Sequence, residues 1–178
     1  MSAPKINNSL RDKLVRNEEV ASPLTVKLVR SVELPGVAKT AGFDGILIDM
    51  KHSSFDLDTT AALYASITPI VRAPSKEPCF VSRILDSGAL GVIVPHIKTV
   101  QDARDVVAAA RFQPVGHRSS RNGLPHFQFQ SVAAKVANPI VNTNTLVIPM
   151  IETLEALELV DELPLYQELT PSSSAPTI

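Results

Sequence analysis

The sequence has no block of lysines or arginines, a single cysteine, and no apolar run near the roughly 20 residues that cross a bilayer as a helix. Each shortage removes a class of protein. With a formal net charge of -1 and a pI of about 6.4, an electrostatic grip on nucleic acid or on an anionic membrane is not expected, and a small polar substrate is. Cys79 alone excludes an intrachain disulfide. The charged opening stretch through Arg11, Asp12, Lys13 and Arg16 lacks the apolar core of a signal peptide, so a cytoplasmic protein is expected. His96, His117 and His126 have no ligand-like spacing, which argues against a zinc site and leaves them as loop residues.

What is present is apolar material for one sizeable core: 44% hydrophobic and 20% charged residues in a chain of 178. The most telling segment is Gly45-Ile46-Leu47-Ile48-Asp49-Met50-Lys51-His52, where a continuous apolar strand opens into ionisable side chains. A strand apolar on both faces is covered on both, as in a parallel sheet wrapped by helices. In such folds chemistry sits at the carboxyl ends of the strands, which is where Asp49 and His52 fall. The plainer alternative is an N-cap by Asp49 and a solvent-facing His52.

Strand-like and helix-like stretches alternate along the chain, which predicts β/α units. Asn8 to Asn17 reads as a leading helix, Thr25 to Val29 as the first strand, and Leu34 to Ala41 as a helix with Pro35 suited to its start. Gly45 to Asp49 is the second strand, and Asp56 or Asp58 can cap a helix reaching Tyr64. Pro69 to Arg72 is the third strand and Val81 to Leu85 lies in the next helix. Gly91 to Pro95 is the fourth strand, and Val100 to Ala110 is a helix with Asp102 in its first turn. Pro114, Gly116 and Gly123 mark an irregular stretch, Gln128 to Ala137 is expected to be helical, and Leu146 to Ile151 is the fifth strand, followed by a helix from Leu154 through Glu162. Thr170 to Pro176 is low in complexity.

The strand ends supply a short list of chemistry. His52 follows the second strand, Arg72 ends the third and Glu152 follows the fifth: a base, a cation and a carboxylate. Taken singly, Arg72 could equally be a surface ion pair, and Glu152 a first-turn carboxylate favourable to a helix dipole. Asp86 sits where a helix ends at Gly88, a place where a carboxylate opposes the dipole. A hydrogen bond to an imidazole would justify it. Arg118 and Arg121 could hold an anion, but solvated loop arginines are commoner, and both stay unassigned.

In order and spacing, Gly42-Phe43-Asp44 through His52, Pro69-Ile70-Val71-Arg72, Leu85-Asp86-Ser87-Gly88-Ala89, Val94-Pro95 and Ile151-Glu152-Thr153 resemble the HpcH/HpaI aldolase family. Glu33-Leu34-Pro35-Gly36-Val37-Ala38 resembles its fungal macrophomate synthase branch, and the similarity runs from about Thr25 to Glu162. The resemblance implies an α/β fold, a TIM (β/α)8 barrel of the phosphoenolpyruvate/pyruvate superfamily, of which about five β/α units are present. Residues 1–20 would be a helical extension, 21–163 the partial barrel and 164–178 a Ser/Pro tail. It implies a metal-dependent (class II) aldolase that cleaves or forms 2-keto-hydroxy acids through a pyruvate enolate. His52 would be the catalytic base, Asp86 would raise its basicity, and Arg72 would steady the keto oxygen. Glu152 would be one of two carboxylate ligands to Mg²⁺, or to Mn²⁺ or Co²⁺. A base that removes a methyl proton from pyruvate leaves a charge that a Lewis acid and a cation must hold. Family members are commonly hexamers. The partners would be pyruvate and an aldehyde.

Three departures stand out. The family pattern Asp-x-Glu-His reads Asp49-Met50-Lys51-His52 here, so Lys51 replaces a carboxylate that helps organise metal-bound water, and a cation there repels the metal unless it turns away. Met150 stands where many relatives place a substrate-binding Gln, whose hydrogen bond a thioether cannot replace. The family's sixth-strand motif, Gly-x-Asp-x-Leu-x-Ile-Gly-x-x-Asp-Leu, with the second metal carboxylate, is missing; Leu165 to Ile178 stands in its place. Yet the third base of each codon there, joined to the first two of the next, can spell Leu-Pro-Gly-Ile-Asp-Ala-Leu-Leu-Ile-Gly-Thr-Asn-Asp with synonymous codons chosen freely. A frameshift, mis-splicing or gene-model error after about Leu163 is therefore expected, and with it a weak or inactive catalyst as written. A non-catalytic fragment that associates with a full-length relative, and a citrate-lyase-like enzyme acting on CoA esters, are the alternatives.

Overall fold

The computed structural model describes residues 4–16, 20–62 and 67–162. Its strands are β1 (Pro23–Val26), β2 (Gly45–Asp49), β3 (Thr68–Arg72), β4 (Gly91–Ile97) and β5 (Leu146–Ile151). All pair in parallel, in sequential order. Helices α1 (Ser9–Arg16), α2 (Leu34–Thr40), α3 (Leu57–Ala62), α4 (Pro78–Asp86), α5 (Val100–Ala110), α6 (Ala134–Asn144) and α7 (Leu154–Glu158) precede, separate and follow them. A parallel sheet built strand by strand with a helix after each is the pattern of a (β/α) barrel wall, here five strands wide.

Each strand's alternation sorts its side chains between two faces. Val26, Ile46, Ile48, Val71, Val92, Val94 and Val147 face the helices and form the main core with Val81, Ile84, Leu85, Ala103, Val106 and Ala110 of α4 and α5. Ile70 and Leu146, with the partly buried Leu47, Ile93 and Ile148, line the opposite, concave face. Leu10 of α1 packs on that face, and a Cβ at Gly45 would lie 2.9 Å from the Thr68 carbonyl oxygen and 3.1 Å from Leu10 Cδ1, so only glycine fits there. The Asn8 amide donates to the carbonyls of Leu90 (3.0 Å) and Asn144 (2.7 Å). Together these contacts seal the amino-terminal end of the sheet and leave its carboxyl-terminal rim open for side chains.

Some boundaries differ from the sequence reading, each for a local reason. β1 pairs over Pro23–Val26 rather than Thr25 to Val29; Leu28 is 89% exposed, so its apolar character reports an uncovered surface and not a strand. β4 runs past Pro95 to Ile97 through an irregular register between Val94 and Ile97, where His96 adopts φ 60°. The expected helix at Gln128 to Ala137 is displaced to Ala134–Asn144. The turn at Pro125–Phe127 ends with Gln128 and Phe129 at positive φ, which no helix tolerates, and burial of Ala137 and Val141 then carries α6 across Pro139. The Thr99 hydroxyl and Asp102 cap α5 reciprocally. Tyr64 and the Ser/Pro tail lie outside the described residues.

Candidate active site at the carboxyl rim of the strands

Parallel register sets Asp49 of β2 directly beside Arg72 of β3. Arg72 donates through Nε to Asp49 Oδ1 (2.8 Å) and through Nη2 to Oδ2 (2.5 Å), a two-bond fork. Oδ1 also accepts the backbone N–H of Lys51 (3.0 Å) and of His52 (3.2 Å), and Lys27 Nζ lies 3.4 Å from Oδ2. Burial by itself would raise the Asp49 pKa, since its side chain is only 1% exposed, but the Arg72 fork and the two amides hold it well below the usual carboxylate range. Arg72 is correspondingly raised by Asp49, with Glu152 adding to the effect. Two Arg72 N–H bonds face Asp49, and Nη1 has no partner among the described residues, so the guanidinium keeps donors for a ligand.

A second group gathers on the next two strands. The backbone N–H of His96 donates to Glu152 Oε2 (2.9 Å), made possible by the left-handed backbone of the irregular strand end. The Lys51 ammonium meets His96 Nε2. The other nitrogen of that ring, Nδ1, lies 3.6 Å from Glu152 Oε2. The His96 amide lowers the Glu152 pKa most, and the nearby Lys51, His96 ring and Arg72 add to it.

His52 lies on the same rim, exposed, with its imidazole making no hydrogen bond among the described residues. Met150 shares the concave face with Ile148, two residues before Glu152, and is partly buried. The structure thus brings His52, Arg72, Met150 and Glu152 to one rim. Asp86 is not there. Helix α4 runs back from the rim, so its last residue lies at the opposite, amino-terminal end of the sheet, where Asp86 accepts from Arg118 Nε (3.1 Å) and Nη2 (2.5 Å). Within this chain Asp86 is therefore no partner of His52. Its reason for opposing the helix dipole is a buried guanidinium: the Arg118 side chain is fully buried and stacks 4.4 Å from the Phe112 ring.

From the sequence Arg118 has no assignment and His96 reads as a loop residue, and nothing there marks Lys27 or His96 for the rim. The Asp49–Arg72 pairing had a legible signal, because neighbouring parallel strands that both end in a charge bring those charges together. Nothing in the sequence marked the irregular strand end that carries His96. Among the described residues, no group of three or more His, Cys, Asp or Glu side chains is placed to hold a metal ion. Glu152 is a hard oxygen donor of the type that Mg²⁺ or Mn²⁺ accepts, but a cation, Lys51, acts on it, and the described donor set does not fit such an ion. No described helix is long and apolar enough to cross a membrane.

The family model described as HpcH/HpaI aldolase/citrate lyase matches residues 30–169. A 4-hydroxy-4-methyl-2-oxoglutarate aldolase of Hapsidospora irregularis is 34% identical over 145 residues, covering 78% of this chain and 54% of that protein. The crystal structure of an HpcH/HpaI aldolase/citrate lyase family protein from Burkholderia cenocepacia J2315 superposes with a TM-score of 0.77 at 27% identity, over 88% of this chain and 64% of that one. Macrophomate synthase shares the fold, with a TM-score of 0.70 at 22% identity, over 90% of this chain and 58% of that one. The chain spans about half the length of the curated relatives it matches.

Proposed function

Because the chain belongs to the HpcH/HpaI aldolase/citrate lyase family, we propose that its rim is the site of a carbon–carbon lyase that interconverts a 4-hydroxy-2-keto acid with pyruvate and a carbonyl acceptor. One observation carries this reading: a base, a guanidinium with unused donors and a carboxylate converge at the carboxyl ends of adjacent parallel strands, where barrel enzymes hold their substrates.

In the cleavage direction a base takes the hydroxyl proton, the bond between C3 and C4 breaks, and its electron pair becomes the pyruvate enolate. Proton return at C3 completes pyruvate. His52 suits the proton transfers, since an imidazole can both accept and donate a proton and its ring is solvent-accessible. Arg72, fixed by Asp49, holds the keto oxygen as negative charge develops on it, at no reorganisation cost. Met150 supplies an apolar wall. The resemblance assigns part of the enolate's charge to a divalent ion at Glu152. Since the described donors do not fit one, Arg72 carries that charge here, and slow turnover by this chain alone follows. We place this chemistry in the cytoplasm, on small molecules.

Incubating the full chain with 4-hydroxy-4-methyl-2-oxoglutarate and following pyruvate by lactate dehydrogenase tests the reading. Slow release that H52A abolishes supports it. Release unchanged by H52A, or turnover as fast as a full-length relative, contradicts it.

A further inference from the structure

The donor set at the rim disagrees with a resident divalent cation, and the disagreement has a specific author in Lys51. Its ammonium contacts His96 Nε2, and the same imidazole turns Nδ1 toward Glu152, which also accepts the His96 backbone N–H. Lys51, His96 and Glu152 thus form one polar chain across the ends of β2, β4 and β5. Among the described residues, the cations Lys27, Lys51 and Arg72 face the carboxylates Asp49 and Glu152, an excess of one positive charge. Asp49 is committed to Arg72 and two amides, so it cannot turn to a metal without stranding a half-buried guanidinium. A dication added beside Lys51 meets like charge. A carboxylate meets attraction.

We propose that Lys51 is the tethered cation of this site, and that it and Arg72 bind the carboxylate and keto oxygen of a 2-keto acid directly, without a divalent ion. The inference rests on the rim being the keto-acid site and adds to it a specificity-determining residue. Two features fit Lys51 to the task. Its backbone is pinned by the Asp49 carboxylate, and its side chain is half-buried, so the charge is delivered to the rim and is not spread through solvent. Among the described residues its one side-chain hydrogen-bond partner is an imidazole nitrogen, which a carboxylate displaces readily.

Calorimetric titration of the full chain with oxalate, a planar stand-in for the keto-acid enolate, in excess EDTA reads this directly. The expected result is binding that weakens at least tenfold in K51M and is retained within a few-fold in K51R, which separates lost charge from lost fold. In parallel, the electron paramagnetic resonance signal of free Mn²⁺ should persist with the natural protein and fall on adding K51E, which places a second carboxylate near Glu152. Stoichiometric Mn²⁺ uptake by the natural protein, or oxalate affinity indifferent to K51M, overturns the inference. If oxalate binds only when Mn²⁺ is present, this inference fails while the keto-acid reading stands. If oxalate binds under neither condition, both fail.

Discussion

Asp49 and Arg72 are lateral neighbours at the ends of two parallel strands, joined by a two-bond fork whose carboxylate is 1% exposed. The pair fixes the direction of the guanidinium, and with it the open rim. Breaking it should cost far more than a surface ion pair. D49N leaves a half-buried Arg72 without its partner, and urea unfolding at pH 7 should show a loss of about 3–5 kcal/mol. A loss under about 1 kcal/mol would mean that solvent satisfies Arg72 and that the rim is not preorganised.

The same pair sets the acid limb of stability. Folding lowers the Asp49 pKa, so its contribution is complete above the unfolded carboxylate value of about 3.9 and drains away as the pH falls below it toward the folded value. D49N should lack that part of the acid slope. Chemical denaturation between pH 5 and pH 2 measures it.

His126 works in a different window. Burial pushes its pKa down to about 4; its Nε2–H donates to the Ala89 carbonyl (3.1 Å), which opposes the shift, and the Arg118 charge adds to it. A histidine depressed in the folded state stabilises fully above its unfolded value of about 6.5, and the contribution is lost as the pH falls from there to about 4. The loss should be on the order of 3 kcal/mol, at 1.36 kcal/mol per unit. H126Q should flatten stability between pH 6.5 and pH 4, while a slope identical to that of the natural protein would place the titration elsewhere.

Asp86 yields a prediction opposite in kind to the one its sequence neighbourhood suggests. It partners a fully buried Arg118 at the amino-terminal end of the sheet, so D86N should destabilise the chain by about 3–5 kcal/mol, visible as a lowered urea midpoint. Unchanged stability would mean that Arg118 finds another acceptor.

The five strands were legible because each is an apolar run bounded by Gly, Pro or a charge, and the shared rim position of Arg72 and Glu152 was legible because parallel strands of similar length end together. Asp86 misled because its motif fixes where a helix ends, whereas its partner, Arg118, comes from an irregular loop with no periodicity to read. His96 was missed because its role depends on φ 60° at a strand irregularity, a property of backbone register and not of residue type. The shift of α6 had the same origin, in the positive-φ pair Gln128 and Phe129.

The most direct test of the rim as an enolate-forming site is deuterium exchange into the methyl group of pyruvate, followed by proton NMR in D₂O with the full chain. Exchange above the buffer rate that falls about 100-fold or more toward background in H52A is the expected result. Exchange at the same rate with and without the His52 imidazole would contradict the account.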